Sequence, residues 1–182
     1  MWILGIVIGV VLIWTVVVYN DLVQMRLRAD NAWSDIGVQL KRRYDLIPNV
    51  VEAVKGYAAH EKQVFVKVTE ARSKAMQVKD PKGKEAAEGM LTSSLKSLFA
   101  VAENYPQLRA NENFLGLQQS LTQVEEALQG ARRYYNAVVR DYNTKLAIFP
   151  NSLVAQTTHF LPRDFFQLEV PEEANAPKVS LS

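Results

Sequence analysis

From Trp2 to Tyr19 the chain carries no charged residue, and Thr15 is the one aliphatic hydroxyl in the run. About 18 residues at ~1.5 Å each give roughly 27 Å of helix, close to the ~30 Å hydrocarbon core of a bilayer. Trp2 and Tyr19 fall where an interfacial aromatic belt would sit, and Asn20 and Asp21 end the run. A cleaved signal peptide would need a basic leading region and a small-x-small cleavage site. Here Met1 is followed at once by Trp2, and the run closes on Val16, Val17, Val18 and Tyr19. A buried core helix is the other alternative, but a segment apolar on every face needs lipid rather than a one-sided protein core. Residues 1–20 therefore read as a single transmembrane anchor.

The flanking charges set its expected direction. No Lys or Arg precedes the run, whereas Arg26 and Arg28 follow closely and Lys41, Arg42 and Arg43 lie further on. The positive-inside rule then puts the N-terminus outside and the C-terminal domain in the cytoplasm. Trp2, Tyr19, Arg26 and Arg28 are the expected membrane-interface residues.

Beyond the anchor the apolar positions keep a helical period. Leu22, Met25, Ala29, Ala32, Trp33, Ile36, Leu40, Tyr44 and Ile47 form one stripe in steps of three and four. Nothing between Tyr19 and Leu22 forces a break, so the anchor is expected to run on as nearly one helix to about Leu46. Pro48 predicts a turn or kink near Asp45 to Asn49. A second stripe, Val50 to Ala75, is expected to stop before the charged loop Lys79 to Lys84, which holds both Pro81 and Gly83. A third and shorter helix carries Ala87, Leu91, Ser94, Leu95, Leu98 and Ala102 and closes at Tyr105-Pro106. The fourth is the most regular: Phe114, Leu117, Leu121, Val124, Leu128, Ala131, Tyr135, Val138 and Tyr142 step by three and four from about Asn113 to Phe149. Pro150 ends it, and Phe160, Phe165 and Phe166 read as plugs folding back on the bundle. Residues 21–166 thus read as a helical domain and 167–182, polar and aperiodic, as a flexible tail.

Composition narrows the chemistry. A net charge of +2 is too weak for a nucleic-acid binder, and the absence of cysteine removes thiolate metal sites, disulfides, a cysteine nucleophile and N-terminal lipidation. His60-Glu61 opens like a zincin motif, but Val64 stands where the second histidine belongs. Ser93-Ser94-Leu95-Lys96 matches the Ser-x-x-Lys of penicillin-recognising enzymes without the companion motifs. Glu125 and Glu126 are neighbours on a helix, about 100° apart, and cannot jointly hold one metal or substrate. No catalytic residue, cofactor or small-molecule substrate is expected.

Lys41-Arg42-Arg43 is the one compact basic cluster. It lies roughly 30 Å along a continuous helix from Tyr19, beyond the ~8–10 Å screening length, so direct lipid contact would need a bend. A solvated face is the bland reading. The functional one is contact with an acidic partner, together with the aromatic Tyr134, which lies off the fourth stripe.

Taken in order, these segments resemble the LemA family of bacterial membrane proteins. The resemblance is carried by Tyr19-Asn20-Asp21-Leu22-Val23, by Ala32-Trp33-Ser34-Asp35-Ile36, and by the run from Val38 through Asp45-Leu46-Ile47-Pro48-Asn49 to Val51. Val54-Lys55-Gly56-Tyr57, Tyr105-Pro106-Gln107-Leu108, Tyr135-Asn136, Tyr142-Asn143 and Phe149-Pro150 continue it. It covers Tyr19 to Phe166. The resemblance implies an all-α fold, with the N-terminal transmembrane helix continuing into an antiparallel up-and-down four-helix bundle. It also implies the bacterial inner membrane, and no catalytic residues to carry over. The expected role is a non-enzymatic scaffold or adaptor that self-associates as a homo-oligomer on the lipid bilayer. The alternatives are an accessory subunit of membrane-protein quality control acting with an integral-membrane protease, or a membrane-shaping assembly.

Overall fold

The computed structural model describes residues 1–166; the tail expected at 167–182 lies outside them. Six α-helices account for the described regular structure, which contains no strand: α1 (Trp2–Lys55), α2 (Lys62–Gln77), α3 (Pro81–Glu103), α4 (Pro106–Arg109), α5 (Glu112–Ala147) and α6 (Asn151–Thr157). Two compact units emerge, both drawing on α1 and α5.

α1 differs from the expected break at Asp45 to Asn49. It runs 54 residues, straight through Pro48, and ends instead at Lys55 before Gly56. Pro48 has no N–H to donate to the Tyr44 carbonyl four residues back. That carbonyl accepts a hydrogen bond from Arg72 Nε at 2.8 Å, so the acceptor freed by proline is satisfied by a side chain of α2. Beyond Pro48, Val50, Val51 and Val54 are all buried. Burying such side chains is worth about 1.5–3 kcal/mol each, which together exceeds the ~3 kcal/mol cost of an interior proline. Packing wins over the local breaker. The second stripe is consequently divided: its first residues belong to α1, and Phe65, Val68, Ala71 and Ala75 to α2.

The other boundaries have local causes. Asp80 caps α3, accepting from Gly83 N at 2.7 Å, and Pro81 occupies the first turn. Gly83 suits that turn: a Cβ would lie 2.8 Å from Val78 Cγ1 and 2.9 Å from Asp80 Oδ2, so these side chains would have to shift. α3 is longer than expected, with 23 residues against 16 in α2. Asn111 caps α5 through Oδ1, which accepts from Phe114 N at 3.1 Å.

The first unit comprises Met1–Arg43 and Ser120–Phe165. Here Asp21 pairs with Lys145, Trp33 lies against Tyr135 and Arg43 pairs with Glu125. Rising numbers on α1 meet falling numbers on α5, so the two helices are antiparallel. Along this seam of α5 the buried positions are Leu121, Leu128, Arg132, Tyr135, Val139 and Tyr142. Val124 and Val138, expected on the stripe, are only half-buried, and the charged Glu125 and Arg132 share the seam in place of full apolar periodicity.

The second unit comprises Tyr44–Gln119 with Phe166. α2 and α3 pack together there around Val68, Ala75, Leu91 and Leu98. Of the three phenylalanines expected as plugs, Phe166 is buried and Phe160 half-buried, whereas Phe165 is exposed.

Candidate membrane-proximal site

The first half of α1 is bare. Its most apolar 18-residue window is long enough to cross a membrane, and only 6% of it is buried within the protein. A core helix would be mostly covered; this one presents Ile3, Leu4, Ile6, Val10, Leu12 and Ile13 on all sides. Thr15 Oγ1 donates to the Val11 carbonyl at 2.8 Å, which hides its hydroxyl inside the helix.

Packing begins at Trp14 and full burial at Val18. Val18 and Leu22 bury themselves against Val154 and Ala155 of α6, with Trp14, Leu146 and Phe160 packed around them. α6 is placed there by the turn at Pro150 and held by its own C-terminal geometry. His159 adopts φ 58°, Phe160 N donates to Ala155 O at 3.0 Å and His159 N to Gln156 O at 3.4 Å. That is the two-bond pattern of a Schellman cap with a non-glycine residue in the left-handed position. It directs Phe160 back onto α1, where its ring meets Tyr19 edge-on at 5.7 Å and lies 5.4 Å below the Arg26 guanidinium.

A ring of polar contacts surrounds this apolar contact. Lys145 pairs with Asp21, and Arg163 Nη2 lies 2.6 Å from Asp30 Oδ1. Asn143 accepts from Arg163 N at 2.9 Å and donates to Arg163 O at 2.8 Å, gripping the strap after α6 from both sides. Tyr142 and Tyr135 donate to the carbonyls of Leu161 and Asp164 at 3.2 and 2.9 Å. Burial pushes both phenols above their ordinary value, with the nearby Arg163 opposing the rise. The strap is therefore held by backbone acceptors that any substitution of these tyrosines would release.

The expected site residues separate in the structure. Tyr19 and Arg26 come together on Phe160, while Trp2 is exposed at the far end of α1 and Arg28 is exposed on another face. Lys41, Arg42 and Tyr134 are exposed. Arg43, expected with them at a partner surface, is instead buried at 1% exposure, its Nε 2.6 Å from Glu125 Oε1. The contact is an ion pair by distance rather than an aligned hydrogen bond. The reason is register: from Ile36 and Leu40 the inward positions continue through 43 and 47, so Arg43 lies on the seam. Asp21, Asp30, Lys145 and Arg163 escaped the sequence reading because isolated surface charges carry no signal of their partners.

The second unit holds a buried polar cluster that sequence also missed. Tyr44 donates its hydroxyl to the fully buried Glu88, and Lys84 Nζ donates to the Ala75 carbonyl at 2.7 Å while lying 5.5 Å from the Tyr44 ring. Burial lowers the Lys84 pKa, with the Glu88 carboxylate opposing the shift. Lys84 thus covers one of the unsatisfied carbonyls in the last turn of α2, at the negative end of that helix. Two surface cavities of this unit, about 550 Å³ beside Phe99, Arg109 and Phe114 and about 300 Å³ beside Val51, Phe65 and Glu70, are formed by other residues. Phe99 and Phe114 face each other at 6.3 Å in the larger one. His60, Ser93 and Lys96 are exposed, and Ser94 donates to the Met90 carbonyl. Among the described residues no group of His, Asp or Glu is arranged to hold a metal ion.

The sequence is similar to those of known proteins. The sequence model of the LemA family matches residues 32–181. Magnetosome protein MamQ 2 of Paramagnetospirillum magneticum is 25% identical over 175 residues, covering 82% of this chain and 64% of its own length. Protein LemA of Metamycoplasma hominis is 26% identical over 138 residues, covering 75% and 63% respectively. Magnetosome protein MamQ of Magnetospirillum gryphiswaldense is 23% identical over 174 residues, covering 81% and 64%. The chain thus spans less than two thirds of the length of these relatives, and none of their names describes an enzymatic activity.

Proposed function

Because the chain belongs to the LemA family, we propose that it is a membrane-anchored, non-enzymatic scaffold that assembles with copies of itself at the bacterial inner membrane. Residues 1–20 are the anchor and 21–166 the helical domain, an antiparallel up-and-down bundle whose long members are α1, α2, α3 and α5. The N-terminus lies outside and the domain in the cytoplasm, with Trp2, Tyr19, Arg26 and Arg28 at the two interfaces. The observation that supports this reading is the packing of α6 on Val18 and Leu22. A domain that begins within the last turn of the apolar segment is not a tethered domain on a linker. It stands on the bilayer and fixes the azimuth of whatever face it presents. In this reading Lys41, Arg42 and Tyr134 form that face.

Mass photometry of the intact chain in lipid nanodiscs, with imaging of particle symmetry, tests the assembly. The expected particle contains several copies; a strictly monomeric 20.5 kDa chain with no associated protein sinks the scaffold reading. Direction is tested separately, because the chain has no cysteine of its own. A membrane-impermeant maleimide applied to intact spheroplasts should label a cysteine added before Met1 and spare Ser93→Cys; the reverse pattern inverts the topology.

A further inference from the structure

We propose that the corner joining α5 to α6 is a second membrane contact, inserted into the same leaflet from which α1 emerges. This rests on α1 being the membrane anchor. α6 packs against Val18 and Leu22, and Trp14 belongs to the same contact. Trp14 stands only about five residues, ~7.5 Å at the usual rise, inside the Tyr19 end of the apolar run. Anything that touches both Trp14 and Leu22 is therefore at the depth of the lipid boundary.

What the corner shows to the outside suits that depth. Ile148, Phe149, Leu153 and Leu161 are 53%, 74%, 55% and 75% exposed, although the buried face of α6 already uses Val154 and Ala155. Four bare, large apolar side chains spread over one corner are a costly surface in water and an ordinary one in lipid. Both threonine hydroxyls of the corner bond back to the helix backbone: Thr157 Oγ1 donates to the Leu153 and Val154 carbonyls at 3.0 and 2.9 Å, and Thr158 Oγ1 to Val154 O. Such self-satisfaction is what a low-dielectric surrounding demands. The charged ring of Arg26, Lys145 and Arg163 comes immediately behind, at the level where phosphate headgroups would lie. The patch faces lipid, since it is continuous through α6 with the apolar surface of α1.

Single cysteines at Phe149, Leu153 and Leu161 in the full chain, labelled with a nitroxide, report the surroundings directly. In vesicles of phosphatidylcholine and phosphatidylglycerol, each label should collide more often with dissolved oxygen than with a water-soluble nickel chelate. Val10→Cys serves as the depth reference and Lys96→Cys, exposed on α3, as the aqueous one. If Val10 reports lipid while all three corner labels report water, the corner contact is overturned and the anchor stands. If Val10 also reports water, the anchor itself falls. Low access to both quenchers with spin–spin broadening between chains means that a second copy covers the corner, which equally overturns the lipid assignment.

Discussion

Removing either member of the Arg43–Glu125 pair should destabilise the protein, but by unequal amounts. Arg43 is 1% exposed and Glu125 33% exposed, so the two charges are desolvated very differently. Glu125→Leu takes a carboxylate away from a guanidinium deep in the α1–α5 seam, and breaking a buried pair costs up to about 3–5 kcal/mol. Arg43→Met strands a carboxylate that water already reaches, and the screening this allows reduces the cost to about 1–3 kcal/mol. The double variant, Arg43→Met with Glu125→Leu, replaces two charges by apolar side chains of similar reach. It should return to within about 1 kcal/mol of the parent, or exceed it. Urea unfolding of the full chain in mild detergent, followed by far-UV circular dichroism, measures all four corners of the cycle. The reasoning is refuted if Arg43→Met costs more than Glu125→Leu, or if the double variant is as unstable as the worse single one. The first result would mean that Glu125 is not what chiefly holds Arg43 in the seam. The second would mean that the seam depends on the shape of these side chains rather than on their charges.

The other predictions concern the backbone and pH. Arg72→Leu should cost about 1–3 kcal/mol by removing the hydrogen bond that the Tyr44 carbonyl accepts. In a Pro48→Ala background, where residue 48 regains its N–H, the same change should cost markedly less; equal costs measured by denaturation would show that Arg72 does not serve that carbonyl. His159→Gly should raise stability by about 0.5–1 kcal/mol because φ 58° suits glycine, whereas His159→Val should lower it and loosen Phe160, seen as reduced protection of the strap in hydrogen exchange. Tyr135 and Tyr142 should ionise above the ordinary tyrosine value in an ultraviolet titration. Their folded pKa values are raised above 10.0, so the stability they contribute is complete below about pH 10 and is lost as pH rises through the folded values. Stability that rises from pH 10 upward would contradict this assignment.

Much of the fold was legible because its causes are local or periodic. A span needs an uncharged run of a given length, so Trp2 to Tyr19 is recognisable as a candidate without any partner. Steps of three and four announce helices from Leu22 onward, and Pro81 and Pro150 mark real boundaries because their surroundings offer no reason to continue. The helical character of α1 across Tyr19 and Leu22 was visible for the same reason. Tyr19 and Arg26 were found as interface candidates from their distance to the apolar run, but the ring that joins them belongs to Phe160, far away in sequence.

What the tertiary structure alone decided is where the polar residues go. Arg43, Lys84, Glu88 and Arg132 occupy inward positions by helical register, yet a charge in a sequence is assigned to solvent unless its partner is known. Those partners lie on other helices: Glu125 for Arg43, and Tyr44 with the Ala75 carbonyl for Glu88 and Lys84. Pro48 likewise broke the helix on local grounds and failed to break it in the fold, because Arg72 supplies from outside the hydrogen bond that proline removes. Apolar burial is a property each residue advertises by itself. Satisfying a buried charge or carbonyl is a property of a pair, and pairs exist only once the chain has folded.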